Sequence, residues 1–594
     1  MSGTKKTVLI IFGILGALII VAVIGIALLW AAVRGGEPTI RDNSVLTLRV
    51  AGSLPDYSPD DPFKRYFGGP DQSLTGLVMQ FKKAKVDKRI KGILLDINMS
   101  GVGWGKAEEL RDAIVDFRSS GKPVYAYIEF GLNKEYYIAT ACDKIISPPP
   151  GELFINGLAA DVMFFRGSLD KLGIYPDIFQ IGKYKSAGDM FTQKEMTDAH
   201  REYINSLLTD LYDRYINAIA QARKKSPEEV RALIDNAPYN AQQAKDAGLI
   251  DEALYKDEVE AQFKKLLGYK DTDAFPVVRS GDYRDVSPES LGLNKGERIA
   301  VIYASGTINS GSSQNSPSGE QSIGSDTVAK ALNDAAADKT IKAVVLRVDS
   351  PGGSGLASDI IWRAVETANQ KKPVVVSMSD VAASGGYYIS ASAAKIIAQP
   401  STITGSIGVV AGKPVMRGFY DWLGISNEYV LRGKTAGMFR ATEKFSDEER
   451  AKFEDWIKTT YYRDFVPKVA KGRSKDPEYI DSVGQGRVWT GQQARDRGLV
   501  DDFGGLDKAI EVAKQLAKIP ADKGVERVIL PYPTTFLQQL LSPTDNSNTQ
   551  VEHQRAIFAA LPEDTRRAFR YMELMDRMKN GETMLMMPFD LRIK

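Results

Sequence analysis

Ala382-Ala383-Ser384-Gly385-Gly386-Tyr387-Tyr388 sets a serine between an apolar run, Pro373 to Met378, and a stretch of small residues. At the first turn of a helix such a serine has the positive end of the dipole and the next N–H beside its Oγ. That setting suits an activated nucleophile and also an ordinary N-cap. Thirty-one residues before Ser384, the run Ala343 to Val348 leads into Asp349-Ser350-Pro351-Gly352-Gly353-Ser354-Gly355. Glycines at a strand-to-helix turn leave backbone N–H groups bare and admit a ligand, which is how a backbone oxyanion hole is built. Both segments fall at consecutive strand ends. They point to acyl transfer by Ser384, with the N–H groups of Gly353 and Gly385 as oxyanion donors. No G-x-x-x-x-G-K-[ST] run accompanies them, so a phosphate loop is not indicated.

The serine needs a base. Only two histidines exist: His200, in a polar helix-like run, and His553, near the C-terminus. Both have the surroundings of solvated helix residues, which leaves lysine, as in Ser-Lys hydrolases. A free lysine is roughly 0.1% neutral at pH 7 or slightly above, so the base must be desolvated to a pKa of about 7–8. Two lysines share a Lys-[Ser/Thr]-Ala-Gly setting: Lys185 in Gly182-Lys183-Tyr184-Lys185-Ser186-Ala187-Gly188 and Lys434 in Gly433-Lys434-Thr435-Ala436-Gly437. Residue types leave that choice open. Lys183, two positions from Lys185, would share a strand face with it and stand behind it. Ser406, in Thr404-Gly405-Ser406-Ile407-Gly408, is a candidate to orient a neutral lysine.

Composition removes other chemistries. One cysteine, Cys142, and two histidines exclude a disulfide framework, a multi-cysteine metal site and a His-rich one, so neither metal nor cofactor is expected. With 77 basic and 75 acidic residues there is no basic excess for nucleic acid to bind.

The elements that must position these residues are written twice. Ile90-Lys-Gly-Ile-Leu-Leu-Asp96 returns as Ile341-Lys-Ala-Val-Val-Leu-Arg347, and Lys122-Pro-Val with Tyr136-Tyr-Ile returns as Lys372-Pro-Val with Tyr387-Tyr-Ile. Gln242-Gln-Ala-Lys-Asp-Ala-Gly-Leu-Ile-Asp251 returns as Gln492-Gln-Ala-Arg-Asp-Arg-Gly-Leu-Val-Asp501, and every offset is 250 or 251. The repeats span roughly 44–270 and 296–520, with a charged connector from Val278 to Gly296 and an extension over 521–594 that matches neither. Continuous β-branched runs between helical stretches predict an α/β fold with a mostly parallel sheet in each repeat. Asn133-Lys134-Glu135 stands where the second repeat has Ser384-Gly385-Gly386, so only the second repeat holds a nucleophile.

Ahead of the repeats, Thr7 to Val33 is uncharged for 27 residues. About 20 apolar residues cross a bilayer, whereas the apolar part of a cleavable signal runs about 7–15. Residues 1–34 therefore read as a cytoplasmic N-terminus and an uncleaved anchor. Lys5 and Lys6 before the stretch place the body outside the cytoplasm.

Ser-Pro-Gly-Gly, Ala-Ser-Gly-Gly-Tyr-Tyr and Thr-Gly-Ser-Ile-Gly, with Gly-Lys-Tyr-Lys-Ser-Ala in an earlier repeat, resemble the signal peptide peptidase A family in its long, two-repeat bacterial form. The resemblance covers nearly the whole chain. It implies two tandem ClpP/crotonase-like repeats behind a transmembrane helix, in a bacterial inner-membrane serine endopeptidase with its body on the periplasmic side. Its substrates would be signal peptides and other unfolded apolar segments, and its assembly a homotetramer. It further implies Ser384 as nucleophile and Lys185 as base, although single-repeat members carry their lysine where Lys434 stands. Two other readings keep the fold: an acyl-CoA enzyme, and a membrane scaffold with a degenerate site.

Overall fold

Strands that are apolar along their whole length must be covered on both faces, and that is how both repeats are built. The computed structural model describes residues 38–59, 72–270, 272–313, 322–532, 561, 565–566, 582–587 and 592–593. In the first repeat a six-stranded parallel sheet runs in the order Glu252–Ala253, Lys144–Ser147, Val124–Ile128, Ile90–Ser100, Ser44–Gly52, Val277–Arg279. The second repeat reproduces that order with Asp502–Phe503, Lys395–Ala398, Val374–Ala383, Ile341–Ser350, Glu297–Ser305 and Val525–Leu530. Ile403–Gly405 extends Val374–Ala383 in parallel and Val488–Thr490 pairs antiparallel beyond it. Each main sheet takes its outer strand from just past the matched sequence, at 277–279 and 525–530.

Helices cover the sheets by ordinary amphipathic logic. Gly355–Lys371 is capped by Ser354, whose Oγ accepts from the N–H of Ala357, and it buries Ala357, Ile361, Val365 and Ala368 at helical spacing. Beneath it Val344, Val345 and Leu346 are fully buried.

The repeats are locked together by a third sheet that belongs to neither. Tyr175–Ile181 of the first repeat pairs antiparallel with Val409–Val415 of the second, from Val409 opposite Ile181 to Val415 opposite Tyr175. The same sheet contains Thr307–Asn309, Gly352–Ser354 and Met584–Met586, a short strand from the C-terminal extension.

Buried charge adds a second lock. Arg347 is 1% exposed on the central strand of the second repeat. Its guanidinium donates to Asp56 (2.7 Å) and Glu109 (2.7 Å) of the first repeat, and to Ser377 (2.8 Å) and Ser379 (3.0 Å) of its own. Replacing it with leucine would strand two buried carboxylates. Arg347→Leu is therefore expected to cost about 3–5 kcal/mol. Chemical unfolding of the purified variant checks this; an unchanged midpoint would show that the lock contributes nothing.

Among the described residues no helix is long and apolar enough to cross a membrane. Thr7–Val33, the expected anchor, and His553 lie outside the described residues. His200 departs from its expected solvated role: it is buried, stacked on Tyr203 at 5.2 Å, with Nδ1 3.6 Å from Asp189. The helix face carrying it packs inward, which a polar flanking sequence does not reveal.

Candidate active site

Ser384 ends the strand Val374–Ala383 and starts the short helix Gly385–Ser390. Its backbone sits at φ 54°, ψ −110°, a strained conformation for a residue with a Cβ. Two backbone bonds hold it there: its N–H donates to Gly405 O (2.8 Å), and its carbonyl accepts from Tyr388 N–H (2.8 Å). The sharp turn presents Oγ at the sheet's end, fully shielded from solvent.

Lys185 reaches this hydroxyl from the other repeat. Its Nζ lies 2.9 Å from Ser384 Oγ, 3.1 Å from Ser406 O and 3.1 Å from Ser406 Oγ. No carboxylate is among these partners. The side chain is 1% exposed, and burial alone pushes its amine well below the usual lysine value near 10.5. A neutral amine has two N–H donors and one lone pair. Two donors directed at Ser406 leave the lone pair for the proton of Ser384.

The lysine is carried by the turn after Tyr175–Ile181, the strand that zips the repeats together. Tyr184 N–H donates to Gln485 O (2.8 Å) and Lys185 N–H to Gly182 O (3.0 Å). Two glycines make room for it. A Cβ on Gly486 would lie 2.5 Å from Lys185 Cα, and one on Gly408 would lie 3.0 Å from its Cδ. Gly408, Gln485 and Gly486 are thus part of the site, although residue type alone singles out none of them. Ser406, at φ 51°, is fixed by its N–H donating to Arg487 O (2.7 Å).

Lys183 and Lys434 stand elsewhere. Lys183 is exposed, with its Nζ 4.9 Å over the ring of Tyr184. The strand ends at Ile181, so the two-residue alternation that would put Lys183 beside Lys185 no longer applies. Lys434 is exposed on a turn.

Gly352 and Gly353 approach their neighbours too closely for any side chain. A Cβ on Gly353 would lie 2.1 Å from Ile308 O, and one on Gly352 1.9 Å from Leu585 O and 2.8 Å from Gly385 N. The amide of Gly385 therefore lies against the Gly352-Gly353 turn, in the corner where an oxyanion would gather. Behind that corner Lys106 of the first repeat meets Asp349 at 2.8 Å, and Asp349 Oδ1 accepts from Val381 N–H at 3.1 Å. Asp380 in turn accepts from the N–H groups of Gly103 and Lys106 (3.0 and 2.8 Å). One helix start of the first repeat thus ties together both strands that lead into the site.

The corresponding place in the first repeat is closed by its own side chains. Asn133 donates to Gly157 O (2.8 Å), Lys134 Nζ donates to Val102 O (2.6 Å), and Glu135 accepts from the N–H and hydroxyl of Ser100 (2.8 and 2.7 Å).

A buried serine paired with an uncharged amine, beside a corner of glycine amides, is the equipment of a serine hydrolase that dispenses with histidine. The model of peptidase family S49 matches residues 116–270 and 366–520, once in each repeat, and the chain belongs to that family of serine peptidases. It is 38% identical over 509 residues to the chloroplastic serine protease SPPA of Arabidopsis thaliana, covering 86% of this chain and 74% of that one. It is 35% identical over 460 residues to Protease 4 of Salmonella typhi, covering 76% and 73%. A putative signal peptide peptidase SppA of Enterococcus faecium is 38% identical over 185 residues, 31% of this chain and 53% of that one.

Proposed function

We propose that the chain is a membrane-anchored endopeptidase that uses Ser384 and Lys185 as a dyad to degrade signal peptides and other extended apolar segments. The observation that carries this reading is the contact between Lys185 Nζ and Ser384 Oγ at 2.9 Å, buried and free of any carboxylate. Neutral Lys185 takes the hydroxyl proton as Oγ attacks a peptide carbonyl, and returns it to the departing amine. The N–H groups of Gly353 and Gly385 hold the oxyanion, and Ser406 keeps the amine aimed. Water then repeats the cycle on the acyl-enzyme. No step calls for a cofactor.

A site buried at the junction of two repeats admits an extended chain more readily than a folded one. In this reading Thr7–Val33 tethers the body to the bacterial inner membrane on its periplasmic side, repeats 44–270 and 296–520 supply base and nucleophile, and the body assembles as a homotetramer. The purified enzyme is expected to cleave a reduced, permanently unfolded protein at least about tenfold faster than the same protein in its folded state. Equal rates on both would contradict the substrate class. Absence of any cleavage, with no labelling of Ser384 by a fluorophosphonate, would contradict the enzyme.

A further inference from the structure

Resting on that reading of Ser384 and Lys185, we infer that the chain is its own substrate: Thr583–Met587 is bound in the peptide groove and cut between Leu585 and Met586. The strand Met584–Met586 lies between Gly352–Ser354 on one side and Val409–Val415 on the other, antiparallel to both. Gly355 N–H donates to Thr583 O (2.9 Å) and Met587 N–H donates to Pro351 O (3.0 Å). Antiparallel partners alternate between bonded and non-bonded pairs, so Gly353 and Leu585, midway between those two bonds, form a bonded pair. The amide of Gly353 thereby faces the carbonyl of Leu585.

The same oxygen lies 1.9 Å from where a Cβ of Gly352 would stand and 3.1 Å from where one of Gly385 would stand. Leu585 O thus occupies the corner between the two glycine amides that the mechanism assigns to the oxyanion. A carbonyl held there is the one Ser384 attacks.

The side chains also sit as a substrate's would. Met584 and Met586 point to one face and are buried among Leu169, Ala187, Met190, Phe191 and Val410, while Leu585 packs on the opposite side into the core of the second repeat. Beyond the bond in question the chain is held again: Arg592–Ile593 pairs antiparallel with Ala160–Asp161, and Trp104 Nε1 donates to Ile593 O (3.3 Å). The segment is therefore fixed on both sides of Leu585–Met586 across the site.

The step balances as ordinary peptide hydrolysis. Ser384 Oγ bonds to the Leu585 carbonyl carbon and its proton passes to Lys185. The Leu585–Met586 C–N bond breaks and the Met586 nitrogen takes the proton. Water, deprotonated by Lys185, then releases the acyl group as the Leu585 carboxylate and restores the serine.

The test is the intact mass, under denaturing conditions, of the full chain and of Ser384→Ala, each also assayed on an added unfolded protein. The wild-type chain is expected to lack the mass of Met586–Lys594, and Ser384→Ala to retain it. A wild-type chain that cleaves the added protein yet keeps its C-terminus would overturn the inference and make the strand an uncut plug. A Ser384→Ala chain shortened at the same bond would overturn it by assigning the cut to another protease. A full-length wild-type chain with no activity on the added protein would instead sink the dyad, and the inference with it.

Discussion

Ser384→Ala is expected to lower peptidase turnover by about 10⁴-fold or more while leaving the fold intact, because the methyl group of alanine fits the shell that already surrounds the serine Cβ. The backbone bonds to Gly405 and from Tyr388 do not involve the hydroxyl, so the strained turn survives the change. Lys185→Ala is expected to be comparably inactive, since a serine without its base keeps only oxyanion-hole and binding contributions. Lys434→Ala should retain nearly full activity, because that side chain is exposed on a turn. Turnover of an unfolded protein by the three variants checks the set. A dead Lys434→Ala beside an active Lys185→Ala would move the base into the second repeat.

The second large effect separates activity from stability. Burial lowers the folded pKa of Lys185 below its ordinary value near 10.5, so the folded protein binds fewer protons than the unfolded chain in the interval between them. Stability rises with pH wherever the unfolded state binds more protons. The penalty for burying this amine is accordingly absent above about 10.5, and it grows as pH falls toward the folded pKa. Lys185→Met keeps the length of the side chain and removes the amine. The variant should be inactive yet more stable than wild type at neutral pH, with the difference vanishing in strong alkali. Wild-type turnover should fall as pH drops through the lowered pKa, because protonation removes the base. Thermal unfolding of both proteins between pH 6 and 11, alongside a pH–rate profile, measures each half. A Lys185→Met protein less stable than wild type at pH 7 would mean that the amine is held charged.

Much of this architecture is legible in the residues because it is local. The duplication shows in matched landmarks such as Gln242–Asp251 and Gln492–Asp501, and the parallel sheets show in runs such as Ala343–Val348. Ser384 and the glycines of the turn at 352–353 stand out because a sharp strand-to-helix turn restricts which residues fit. What brings Lys185 to Ser384 is not local. It depends on Tyr175–Ile181 pairing with Val409–Val415, two strands with no shared periodicity, and on Gly408 and Gly486 yielding space to a side chain more than two hundred residues away. Arg347 shows the same limit. At its position the first repeat has Asp96, and the exchange reads as a surface difference until Asp56 and Glu109 are seen closing around the guanidinium. The strand Met584–Met586 carries no alternation of its own, and it becomes a strand only because a groove with unpaired backbone on both walls receives it.

The split of the dyad between repeats also governs when the enzyme comes into being. Lys185 and Ser384 are 199 residues apart in the chain, and the third sheet cannot close until Val409–Val415 has followed the serine. At about 5–20 residues per second, a ribosome needs roughly 10–40 s to travel from one partner to the other. Throughout that interval the emerging polypeptide holds an amine with nothing to deprotonate. Synthesis abandoned before the second repeat yields an inert fragment, so a cell that makes this protein beside its own unfolded exports is never exposed to a partly built protease.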